Sequence, residues 1–103
     1  MLHNVNCLRT GALKPPVFDG ADLSGADLTG AELSHASLKG AILTGAVLRD
    51  VGLGQADLTA VHAGGARFPG ASLRHAKLDD ATLSGADLAE ADLTRATAHG
   101  ANF

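Results

Sequence analysis

Nucleophilic catalysis, metal binding and phosphate binding each need particular side chains at particular spacings, and this chain holds a few candidates for each. Its one thiol is Cys7, a residue type that attacks only when a neighbouring base or cation favours the thiolate. Histidines stand at positions 35, 62, 75 and 99, beyond the N-terminal segment. Histidine is the commonest transition-metal ligand and a common proton carrier. The run His62-Ala63-Gly64-Gly65 has the glycines of a phosphate-binding loop. It lacks the Lys-Ser/Thr pair and the following helix that such a loop requires. The most distinctive polar set is His35, Gln55, His75 and Arg95, four large side chains at intervals of twenty residues. Whether any of these groups converge depends on the elements that carry them.

Those elements follow from a repeat. Every fifth residue from Phe18 to Phe103 is apolar: of eighteen positions, thirteen are Leu, three are Phe (Phe18, Phe68, Phe103) and two are Ala (Ala63, Ala98). Two residues before each of these stands Ala in fifteen cases of eighteen, with Pro16, Val51 and Val61 as the exceptions. The remaining three positions of each unit are mostly polar or glycine, and no insertion breaks the register. A period of five fits neither regular element. A helix would scatter these residues around its circumference, and a flat strand would put successive Leu on opposite faces. Each unit must therefore contain a short extended piece, with Ala and Leu pointing inward, followed by a corner where Gly, Asp and Ser are favoured.

The units Ala21-Asp22-Leu23-Ser24-Gly25, Ala26-Asp27-Leu28-Thr29-Gly30 and Ala86-Asp87-Leu88-Ala89-Glu90 resemble the A-[D/N]-L-x-x unit of pentapeptide-repeat proteins. The resemblance covers residues 16–103. It implies an all-β chain, a right-handed quadrilateral parallel β-helix with four pentapeptides per 20-residue coil and about four and a half coils.

The residues supply their own test of four units per coil. Corners twenty apart then stack and share character. Positions 25, 45, 65 and 85 are all Gly, and positions 35, 55, 75 and 95 are His, Gln, His and Arg. Three or five units per coil would scatter both sets. Core volume offers a second check. Each central Ala, Ala63 or Ala98, is followed five residues later by Phe, at Phe68 or Phe103. In a close-packed tube a large residue should fill the void left by a small one.

Composition narrows the function. The chain is 46% hydrophobic but only 3% aromatic, which suits a thin core of small and medium side chains. Its net charge of −3 argues against nucleic-acid binding, which favours a basic face. One cysteine makes no intrachain disulfide, the N-terminus lacks a signal-peptide pattern, and no run approaches the length of a membrane span. The expected setting is a bacterial cytoplasm, with no membrane contact and no cofactor. Residues 1–15 break the repeat while keeping Leu2, Val5, Leu8 and Leu13, and read as an N-terminal capping segment. The repeat stops at Phe103 in mid-unit, so Phe103, Ala98 and Leu93 are the candidate self-association end, and a homodimer through the C-terminal coil is expected. End-to-end pairing of that sort is also what the family resemblance implies.

The outward charges alternate along the chain. Asp19, Asp22, Asp27 and Glu32 make an acidic start, Lys39, Arg49, Arg67, Arg74 and Lys77 a basic middle, and Asp79, Asp80, Asp87, Glu90 and Asp92 an acidic close relieved by Arg95. Ile42 and Val47 are two apolar residues at outward positions. A convex rod with a filled core offers no concave catalytic site, and no enzyme activity is expected. His35 and His75 share an edge two coils apart, roughly 10 Å at the spacing of strands, which is too far for one metal ion. The reading that follows is a non-catalytic protein-interaction module with an unidentified partner, for which His35, Gln55, His75 and Arg95 form the candidate surface column. Two alternatives stand beside it. The family resemblance implies that some members mimic DNA and bind DNA gyrase, protecting it from quinolones; a basic middle does not favour this. A structural spacer or fused solenoid domain is the other.

Overall fold

A computed structural model describes residues 14–103. Most of the expected N-terminal cap, residues 1–13, lies outside the described part. From Val17 to Asn102 the chain is a stack of parallel pairings, each between residues twenty apart: Val17 with Ser37, Asp22 with Ile42, Asp27 with Val47, Glu32 with Gly52, and onward in the same register. Four faces result. Face one carries residues 16–20, 36–40, 56–60, 76–80 and 96–100; face two carries 21–25, 41–45, 61–65, 81–85 and 101–103. Face three carries 26–30, 46–50, 66–70 and 86–90; face four carries 31–35, 51–55, 71–75 and 91–95.

The backbone explains why five residues suffice for one side. In the unit 36–40, Ser37 donates its N–H to Pro16 in the preceding coil, while Leu38 and Gly40 donate theirs to Asp57 and Thr59 in the following one. Ala41 then donates back to Leu38, closing the corner. The residue before the last, Lys39 in this unit, has no backbone acceptor. The second central residue of every described corner has φ near +60°: nine are glycines and eight are not. The first central residue does not, so each corner is a type II turn. A chain that turns after every second inward residue keeps both Ala and Leu on one side, which neither helix nor flat strand achieves.

The core is the stack of those inward residues. The inward residues from Leu28 to Leu83 form a single buried cluster of Ala, Leu, Val and Phe, with no buried polar residue among the described residues. Each fully buried Leu contributes roughly 1.5–3 kcal/mol of transfer free energy. Phe68 lies in this cluster at 1% exposure, beside an Ala63 that is fully covered, so the ring is inside the tube as the Ala-to-Phe exchange requires. The second exchange works differently. Phe103 is 61% exposed and Ala98 is also exposed; both lie in the last coil described. Phe103 therefore fills no internal void. Ile42 and Val47, outward on faces two and three, are half-buried between neighbouring rungs rather than presented as a patch.

Candidate functional site

Most of the acidic side chains have structural work. The N–H left without a backbone acceptor in each unit is the one a carboxylate two residues earlier can reach. Asp22 accepts from Ser24 N–H at 3.0 Å, Asp27 from Thr29 at 3.0 Å, Asp57 from Thr59 at 3.0 Å, Asp87 from Ala89 at 2.9 Å and Asp92 from Thr94 at 2.9 Å. Glu32 does the same for Ser34 at 3.1 Å. Where the next residue carries a hydroxyl, that group donates to the same carboxylate oxygen, as Thr29 and Thr59 do at 2.6 Å. Asp19 and Asp79 reach one coil further and accept from the N–H groups of Lys39 and His99, each at 3.0 Å. This is why Asp precedes Leu in the repeat: it satisfies the one donor that the ladder cannot.

The same contacts set the acidities. The Ser24 hydroxyl, then its N–H, hold the Asp22 carboxyl below the usual carboxylate range. Burial pushes Asp57 up, but the Thr59 hydroxyl and N–H, with Lys39 and Lys77, outweigh it and leave Asp57 lowered. The Thr94 hydroxyl and N–H, then Arg74, bring Asp92 to about 2.

The four corner columns are not equivalent. Positions 25, 45, 65 and 85 are all Gly, and a Cβ at Gly25, Gly45 or Gly65 would meet nothing within 4 Å. Positions 30, 50, 70 and 90 alternate Gly with an acid, and Asp50 leans over Gly70, its Oδ1 2.5 Å from where a Cβ would sit. The column on the edge between faces four and one is His35, Gln55, His75 and Arg95, with no glycine. All four have φ between 58° and 66°, a conformation that costs an L residue about 1–2 kcal/mol. All four are exposed. Among the described residues, none of their side chains forms a hydrogen bond or ion pair within the chain.

Three of these four residues border a groove of about 280 Å³, lined by Ser34, His35, Gly54, Gln55, Ser72, Arg74 and His75. Arg95 is not part of it. The groove corrects the expectation of a wholly convex rod, and its cause is local. Val51-Gly52-Leu53-Gly54-Gln55 keeps its inward Val and Leu but has glycine at both outward positions before the corner. The rung therefore lacks side chains on face four between Ser34 below and Arg74 above. The space beside Gly52 is taken by the Glu32 carboxylate, whose oxygens lie 2.7 and 2.8 Å from where a Cβ would be. Arg74 donates from Nη1 to Asp92 at 3.2 Å, and both side chains remain largely exposed.

Arg74, Ser72 and the two glycines were not singled out by residue type alone. Their signal in the sequence is positional: 34, 54, 74 and 52, 72 become neighbours only in the twenty-residue register. The other chemical candidates stay apart. His62 lies on face two and His99 on face one, beside Asp79 at 3.5 Å. No group of three or more ligating side chains able to hold a metal occurs among the described residues, nor does a helix long and apolar enough to cross a membrane. Cys7 lies outside the described residues.

The architecture and the groove together define a class: a four-sided parallel solenoid of five-residue units, closed by type II corners, with one polar edge. The "Pentapeptide repeats (8 copies)" family model matches residues 17–51, 53–88 and 71–103, and the chain belongs to the pentapeptide-repeat family, whose members form right-handed quadrilateral β-helices. Two solved structures illustrate the similarity. HetL, a pentapeptide-repeat protein involved in heterocyst differentiation regulation in Nostoc sp. strain PCC 7120, is 34% identical with a TM-score of 0.87, over 93% of this chain and 44% of HetL. The chain thus spans less than half of that protein. The pentapeptide-repeat protein alr5209 of Nostoc PCC 7120 is 33% identical with a TM-score of 0.76, over 86% of this chain and 81% of its own. A trypsin-treated form of QnrB1, a plasmid-mediated fluoroquinolone resistance protein, has a TM-score of 0.64 at 22% identity over 82% of this chain and 56% of its own, which is a likeness of fold. No curated protein matches the chain significantly in sequence.

Proposed function

We propose that this protein is a non-catalytic protein-interaction module that engages a partner along the edge bearing His35, Gln55, His75 and Arg95. One observation carries the reading. The fold accepts glycine in this kind of corner without steric cost, yet this column holds four large polar residues in a left-handed conformation whose side chains have no partner inside the chain. Side chains kept against backbone preference, exposed and unengaged, are the mark of a surface maintained for contact. The column opposite in character, all glycine, offers backbone alone. HetL's involvement in heterocyst differentiation regulation fits a protein that works through a surface.

Site-specific photo-crosslinking in the native host tests this. A crosslinker at position 55 should give a discrete adduct with a partner protein, and one at position 45, on the glycine edge, should not. Equal adduct patterns from both positions would refute the assignment of the edge.

Self-association through the far end is a second proposal. Leu93 is 36% exposed and Phe103 61% exposed, and with Ala98 they form an apolar surface suited to a second copy of the chain. Binding to DNA gyrase is the weaker reading. Lys39 and Lys77 flank Asp57 on face one, so that face does not present the uninterrupted negative charge that imitation of DNA demands.

A further inference from the structure

We infer that the groove on face four receives the carboxylates of an acidic peptide segment, by the same chemistry the fold uses to cap its own corners. This rests on the reading of that edge as an interaction surface. In the rungs that flank the groove, a carboxylate of the chain accepts the spare N–H: Glu32 for Ser34 at 3.1 Å and Asp92 for Thr94 at 2.9 Å. In the two rungs between them, the residue at the capping position is Gly52 or Ser72, and neither supplies an acceptor. Among the described residues, the N–H groups of Gly54 and Arg74 have none. Both residues line the groove.

Spare N–H groups also occur at Thr44, Gly64 and Ser84 on face two, at Arg49 on face three and at Asp79 on face one. What differs on face four is everything around them. The Glu32 carboxylate takes the space beside Gly52, but Gly54 carries no side chain between Ser34 and Arg74, and the groove of about 280 Å³ opens there. Arg74 is positively charged and uses only Nη1 internally, so its other donors face a ligand unspent. Gln55, His35 and His75 add donors along the rim. A carboxylate from outside thus finds an N–H presented as in the neighbouring rungs, a cation beside it, and room to enter.

Two carboxylates of the chain bound the site and shape its choice. Glu32 takes both the N–H and the hydroxyl of Ser34, and Asp92 is held by Thr94 and Arg74. Their negative charge disfavours a multiply charged phosphate chain, whereas single carboxylates spaced along a peptide fit between them. The predicted partner is therefore an acidic protein segment rather than a nucleic acid.

Titration of ¹⁵N-labelled protein with an acetylated, amidated peptide of alternating Gly and Glu tests this, against the same peptide with Gln for Glu. The Gly54 and Arg74 amide resonances should move saturably with the Glu peptide and stay in place with the Gln peptide. Gly54→Leu fills the groove where a Cβ meets only ordinary contacts at 3.8 Å, and it should weaken binding at least about fivefold, as should Arg74→Ala. Glu32→Gln should tighten it. Equal shifts at Thr44, Gly64 and Ser84, the same response to the Gln peptide, or tighter binding of a single-stranded oligonucleotide at the same amides would overturn the inference. Failure of the Glu peptide with crosslinking at position 55 intact sinks only this inference; loss of both sinks the edge as well.

Discussion

At the scale of single residues, the acidic side chains divide by what they bind rather than by where charge is needed. Asp22, Asp57 and Asp92 stabilise their own corners, and each carboxyl is held below its ordinary acidity range. The sign of the pH effect follows. A carboxyl whose pKa is lower in the folded chain than in the unfolded one, about 4, contributes stability that is complete above the unfolded value. That contribution is lost as the pH falls through the folded value, which for Asp92 is about 2. Denaturant unfolding followed from pH 5 to pH 2 should show stability falling across this window, and Asp92→Asn should flatten the fall. An unchanged slope in Asp92→Asn would show that the Thr94 and Arg74 contacts do not act on folding.

At the scale of the corner, the backbone is the same everywhere and the side chains are not. Glycine loses more chain entropy than other residues, about 0.5–1 kcal/mol, while a non-glycine residue in the left-handed region costs about 1–2 kcal/mol. Gln55→Gly should therefore stabilise the fold by up to about 1 kcal/mol, and Gly45→Gln should destabilise it by a similar amount, both read as shifts of the denaturant midpoint. If Gln55→Gly is destabilising, the polar edge has a structural role and the case for its recognising a partner fails. The location of both columns was legible in advance, because residues twenty apart share a corner once four units make a coil. The groove was not. Gly54 looks ordinary in a glycine-rich repeat, and its effect depends on Ser34 and Arg74 lying below and above it.

At the scale of the whole molecule, a solenoid has nearest-neighbour energetics: each coil is stabilised by the coils it touches. The interior coils bury their inward Ala and Leu, while Leu93 and Phe103 are left partly or largely uncovered. Burial of that end against a second copy would restore what the interior coils have. Light scattering on the full chain should give a dimer, and Phe103→Asp should shift it to monomer. A dimer that survives Phe103→Asp would place the contact elsewhere on the surface.

The sequence by itself determined the five-residue side, the inward Ala and Leu, the twenty-residue coil and the identity of the polar edge. These are consequences of periodicity, and a strict repeat states its geometry in the spacing of its residues. It also placed Phe68 inside the tube, because a close-packed core leaves no other home for the volume that Ala63 omits. Tertiary structure alone decided the rest. It showed that the Asp preceding Leu in a unit serves a donor the ladder leaves spare, that Gly54 opens onto a groove, and that Arg74 stands over it. Those outcomes depend on contacts between coils, made by residues twenty positions apart, and a side chain's use is set by which neighbour the register brings within hydrogen-bond reach.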